Sequence, residues 1–146
     1  MTDHIWLSNA STLTELMYWI TSNVATEDVS VAIEAVMANS NGKSVNIESC
    51  HTRLWGSDEV EFDEVVLRPP SDLFYAGSYW IVSARAAAII RRFDLGEGGL
   101  YPVTQGLYRR DRTTRVDGEY FTWIWGNRKT AFLEADSPNV PTFGGA

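Results

Sequence analysis

Apolar and polar positions along the chain change period several times, and each change predicts an element. After the apolar start Ile5-Trp6-Leu7, Ser11 is placed to cap a helix through Leu13, Leu16, Met17 and Ile20, which fall at helical spacing. A second helix is expected from about Thr26 to Ala38, with Val29, Ile33, Val36 and Met37 on one face. Thr26 is its N-cap, and Glu27 and Asp28 sit favourably against the positive helix start. Asn41-Gly42 then reads as a turn.

From Val45 the period shortens. Val45 and Ile47 alternate, and Val60, Phe62 and Val65-Val66-Leu67 suggest an extended stretch. It ends at Pro69-Pro70, because proline removes a ladder donor and restricts the residue before it. Arg68–Ser71 is the best candidate linker within a single domain over residues 1–146. Tyr79-Trp80-Ile81-Val82 is a short apolar strand running into Ser83, an N-cap for a helix Ala84–Asp94. Ala86, Ile89, Ile90 and Phe93 form its apolar side, and Gly96 occupies the place of a left-handed C-cap. Leu100–Val103 reads as an edge strand, since Pro102 cannot donate to a central ladder. Along Tyr120–Trp125, Phe121, Trp123 and Trp125 share one face while Tyr120, Thr122 and Ile124 share the other. Lys129–Leu133 can return as its hairpin partner, and residues 137–146 read as loose. The sum is an α+β domain, with helices mainly in the N-terminal half and antiparallel strands plus one capped helix in the C-terminal half.

Charge refines this picture. The net charge of −7 is uneven: Met1–Ala84 carries 12 acidic and 3 basic residues, a net of −9, whereas Arg85–Ala146 carries 7 acidic and 9 basic, a net of +2. An acidic chain is steered away from nucleic acid and anionic membrane and toward basic partners. No run of about 18 apolar residues occurs. With one cysteine and no signal-peptide pattern at Met1–Ser11, a cytoplasmic location is expected.

Candidate chemistry is thin. Cys50-His51 is a thiol–imidazole neighbour pair, but adjacent strand residues point to opposite faces. One cysteine and two histidines do not complete a zinc shell without carboxylates, and the acidic run Ser57–Glu64 lacks calcium-loop spacing. The glycines of Leu95–Leu100 follow a helix rather than precede one, so they do not cradle phosphate. No enzyme activity, metal or cofactor is expected. Two charged patches remain. Arg109, Arg110, Arg112 and Arg115, flanked by Tyr108 and Tyr120, are either a phosphate-binding patch or a solvated loop tip. Asp58, Glu59, Glu61, Asp63 and Glu64, next to Trp55 as an exposed anchor, are the expected partner-binding residues; a solvated acidic segment is the blander alternative. Trp123 and Trp125 are either an anchor or, more in keeping with their alternation, the core face of a sheet.

Residues Pro69–Val103, with Asp72-Leu73-Phe74, Ile81-Val82-Ser83 and Arg85, resemble a family of bacterial polymorphic-toxin immunity proteins, the eleventh listed class, first catalogued as a domain of unknown function. Gly118–Val140, ending Ser-Pro-Asn-Val, is compatible with it. The likeness covers about half of the chain, and its motifs are structural. It implies a cytoplasmic antidote that binds a cognate toxin and neutralises it by occlusion. The alternative is a phage- or mobile-element-encoded inhibitor of a host nuclease or defence complex. Either way the expected partner is a protein, with no nucleic acid or membrane bound directly.

Overall fold

The structure is a computed structural model, and it describes residues 20–22, 29–46, 50–56 and 70–126. In chain order the elements are β1 (Ile20–Ser22), α1 (Val29–Ser40), β2 (Arg53–Gly56), β3 (Leu73–Ala76), β4 (Tyr79–Ser83), α2 (Ala84–Ile90), β5 (Gly99–Pro102), β6 (Gly106–Tyr108) and β7 (Tyr120–Ile124). The strands form two sheets, β1-β2-β6 and β3-β4-β7-β5, so the fold is α+β. The second sheet is antiparallel throughout. In the first, β2 pairs antiparallel with β1 and parallel with β6, so one parallel pair joins the two halves of the chain. No helix among the described residues is long and apolar enough to cross a membrane.

One core joins the two sheets. Leu54 and Leu107 come from the three-stranded sheet, and Phe74, Ile81, Tyr120 and Ile124 from the four-stranded one. Burying side chains of this size is worth about 1.5–3 kcal/mol each. Here the alternation along β7 resolves opposite to expectation: Tyr120, Thr122 and Ile124 face inward, while Phe121 and Trp123 are half-buried on the outer face and Trp125 is exposed. β7 lies between β4 and β5, so neither of its edges is open to a hairpin return. Residues 129–133 lie outside the described residues.

Inside this core Thr122 is fully buried, and its Oγ1 has no hydrogen-bond partner. An orphaned buried hydroxyl costs about 1–3 kcal/mol. Thr122→Val, which keeps the branched shape and removes the hydroxyl, is therefore expected to raise stability by about 1 kcal/mol in urea denaturation.

Local chemistry fixes the elements. Ser83 caps α2: its hydroxyl accepts from the Ala86 amide at 3.2 Å. That hydroxyl also donates to Asp72 Oδ1 at 2.5 Å, while Arg85 binds Asp72 Oδ2. The motif residues Asp72, Ser83 and Arg85 thus form a clasp that ties the entry of β3 to the start of α2. The turn between β3 and β4 has Gly77 and Ser78 both at positive φ (56° and 69°), the two-residue geometry that suits strand twist.

α2 stops at Ile90, with Arg91 as its C-cap, four residues short of the expected end. Gly96 (φ 57°) is therefore no helix cap; it lies in a later turn, where its amide donates to Asp94 Oδ1. The early stop leaves Phe93 outside the helix and exposed, as is Ile89, and Ala87 is the residue that α2 buries.

α1 begins at Val29, so Thr26 lies outside the described residues. It closes at Asn41-Gly42 as expected. The Gly42 amide bonds the Asn39 carbonyl and the Lys43 amide the Ala38 carbonyl, with Gly42 left-handed at φ 65°. Its packed face differs from the expected one: Ala35 and Asn39 are buried and Val36 packs on the core, while Ile33 and Met37 are exposed. Asn39 Oδ1 accepts from the Trp125 amide at 2.8 Å, which pins α1 to the end of β7. Of the expected helix before it, Ile20 is described, and it begins a strand. The extended stretch at 60–67 and the tail at 137–146 lie outside the described residues; Val45 is described and packs on the core without a strand.

Candidate functional site

Two surfaces gather chemistry that the core does not use. The first is the outer face of the four-stranded sheet. Matched register places Tyr75, Trp80, Trp123 and Leu100 in a row across β3, β4, β7 and β5. Tyr75 and Trp80 meet edge to face at 5.4 Å between centroids, and Trp123 stacks on Trp125 at 4.7 Å and 10°. α2 lies over part of this face: the Arg91 guanidinium sits 4.6 Å from the centre of the Phe121 ring. Beyond the end of α2 the face opens into a groove of about 380 Å³, lined by Ile90, Phe93, Asp94, Leu95, Trp123, Trp125 and Gly126. Its most exposed aromatics are Phe93, 67% exposed, and Trp125, 40%. Among the described residues Asp94 is the one titratable side chain in the lining. Stacked indoles are among the side chains that dominate protein interfaces.

The second surface is the outer face of the three-stranded sheet. Trp55 on β2 and Tyr108 on β6 are register partners, so their rings lie side by side. Each carries a guanidinium: Arg53 lies 4.3 Å from the centre of the Tyr108 ring, and Arg112 lies 5.4 Å from that of Trp55. Gly106 faces the same way, and a Cβ there would meet the Arg115 guanidinium at 3.0 Å. The loop carrying these arginines is braced. The Arg109 amide bonds the Thr114 carbonyl, Arg53 donates to the Arg112 carbonyl, and Arg112 itself is left-handed at φ 58°. Asp111 accepts from the Thr114 hydroxyl and from the Thr114 and Thr113 amides, which hold its carboxyl down at about 2.

Trp55 is half-buried in this basic setting rather than a free-standing anchor. Its expected companions Asp58, Glu59, Glu61, Asp63 and Glu64 lie outside the described residues. The signal missed in the sequence was the parallel pairing of β2 with β6, which brings Arg53 and Trp55 beside Tyr108 across fifty intervening residues.

Cys50 and His51 are both buried. His51 Nε2 is 2.7 Å from the Gly77 carbonyl, and its ring meets Tyr79 edge to face at 5.2 Å, so it braces the β3–β4 turn. Burial pushes the Cys50 thiol up to about 11. Its thiolate is therefore scarce at neutral pH, and alkylation of the native protein by iodoacetamide at about pH 8 is expected to run at least tenfold slower than in urea. Equal rates would show an accessible, reactive thiol. Among the described residues no group of three or more His, Cys, Asp or Glu is placed to hold a metal ion.

Comparison of the chain with protein-family models, with curated proteins and with solved structures finds no match in any of the three.

Proposed function

We propose that this protein is a protein-binding inhibitor of the immunity type, which neutralises a cognate toxin by occlusion and engages it through the Trp123–Trp125–Phe93 groove. The observation that carries this reading is the open stack of Trp123 on Trp125, which lines one groove with an exposed Phe93. Apolar groups left in water on a folded surface are costly, and contiguous ones mark contact sites. The partner is a basic protein: the chain is net −7, and its first 84 residues are net −9. The acidic segment Asp58–Glu64 supplies long-range attraction, and the groove supplies the short-range hold.

The resemblance of Pro69–Val103 to immunity proteins supports the class. The residues behind it, Asp72, Ser83 and Arg85, build the scaffold that sets α2 on the sheet. Capture of partners from the native host at moderate salt tests the reading. A single protein should co-purify, be toxic when expressed alone and be tolerated when co-expressed with this chain. Lysine at Glu59, Glu61 and Glu64 together should slow association by about tenfold at low salt and leave dissociation nearly unchanged. A captured partner that is harmless alone would contradict the inhibitor reading.

A further inference from the structure

We infer that the outer face of the three-stranded sheet, built from Arg53, Trp55, Tyr108, Arg112 and Arg115, is a second binding surface, whose ligand is a single-stranded nucleic acid. This goes beyond the toxin-binding reading and uses the opposite side of the core. Three features select the ligand.

The cations are all arginine. Five of the ten arginines in the chain (Arg53, Arg109, Arg110, Arg112 and Arg115) belong to this face and its loop. Arginine presents a planar fork to phosphate, where lysine presents a point charge. Among the described residues Arg109 and Arg115 form no ion pair, and both are exposed, so these two guanidinium groups offer positive charge on a chain whose overall charge is negative.

The cations are layered on rings. Arg53 and Arg112 set their guanidinium groups against Tyr108 and Trp55, two rings held side by side; Arg112 is exposed, whereas the Arg53 Nε is buried and its Nη2 donates to the Arg112 carbonyl. Nucleobases stack on aromatic rings and on guanidinium planes, whereas the carboxylates of an acidic peptide gain nothing from such layers. The layers are also preformed. The loop is fixed by the Arg109–Thr114 and Arg112–Arg109 backbone bonds, and Asp111, its one acid, is committed to Thr113 and Thr114.

The rings select unpaired bases. Bases stacked inside a double helix have no free face to offer Trp55, Tyr108 or the guanidinium groups beside them, whereas unpaired bases do. A single strand can stack its bases on this aromatic–guanidinium layer and set its phosphates against Arg109 and Arg115.

Fluorescence anisotropy of the full chain with labelled twelve-nucleotide oligo(dT) and oligo(U) tests this. Binding is expected at about 50 mM salt, weakening about 10–20-fold by about 200 mM, as for roughly three phosphate contacts. The double variant Arg112→Gln/Arg115→Gln should weaken binding at least tenfold and flatten the salt slope. Arg109→Gln, a single change in the exposed turn, should weaken it about threefold and guards against a folding defect in the double variant. No binding at low salt would overturn the proposal. So would equal affinity for a duplex of the same length, or for polyglutamate of the same charge, since either would reduce the face to an unselective anion trap or an acidic-protein site.

Discussion

A single methyl group placed on Gly126 is expected to unfold the protein or cost at least about 3 kcal/mol, because it has nowhere to go. A Cβ there would press into the Gly98 amide, the Leu95 carbonyl and the Glu97 amide at once. These are backbone atoms, and no rotamer change relieves them. The converse substitution meets the same wall: a Cβ on Gly98 collides with the Ile124 carbonyl and the Gly126 amide and lies 2.9 Å from the Gly126 Cα. The two glycines pass backbone to backbone where the turn after α2 crosses the end of β7. Core overpacking costs about 1–3 kcal/mol when side chains can shift, and more when the backbone must. Urea midpoints of Gly126→Ala and Gly98→Ala should both fall sharply. A change under about 0.5 kcal/mol in either would mean that the crossing is looser than described. The crossing matters for function, since Leu95 and Gly126 line the groove and Trp125 precedes Gly126.

The second large effect concerns binding. Trp125→Ala should weaken the proposed complex with a protein partner by about 2–4 kcal/mol, roughly 30- to 1,000-fold, mostly through faster dissociation. Truncation removes the Trp123 stack as well, worth about 0.5–1.5 kcal/mol, so some loss of thermal stability accompanies it. Phe93→Ser separates the two effects. With Phe93 67% exposed and outside α2, its folding cost should stay within about 0.5 kcal/mol, while its binding loss remains at least tenfold. Binding that survives both substitutions would move the interface away from the groove.

The sequence revealed local devices better than faces or partners. Ser83 was legible as a cap because a hydroxyl precedes an apolar helical run, and its side chain does accept from the Ala86 amide. Asn41-Gly42 was legible because a left-handed glycine ends helices, and Pro102 because it marks a sheet edge. What alternation along β7 left open was which face turns inward. The choice fell to Tyr120, Thr122 and Ile124 because the other sheet supplies Leu54 and Leu107 to pack against them, a fact of tertiary pairing. The same holds for α1, where small Ala35 and polar Asn39 turn inward because Asn39 satisfies the Trp125 amide, leaving Ile33 and Met37 outside. β2 escaped notice because it is four residues long, begins with an arginine and finds its parallel partner far along the chain.

The candidate surfaces follow the same logic. Arg109–Arg115 stood out as a basic stretch, but its stacking with Trp55 and Tyr108 depends on that unseen parallel pair. The groove depends on α2 ending at Ile90, whereas helical spacing alone carried Phe93 onto the apolar side of a longer helix.

The central claim, inhibition of a protein partner through the Trp123–Trp125–Phe93 groove, is tested most directly by comparing the native chain and the Phe93→Ser/Trp125→Ala variant for rescue of cells expressing the captured partner. The account predicts growth with the native chain and death with the variant at equal, folded expression levels. Equal rescue by both chains would contradict it.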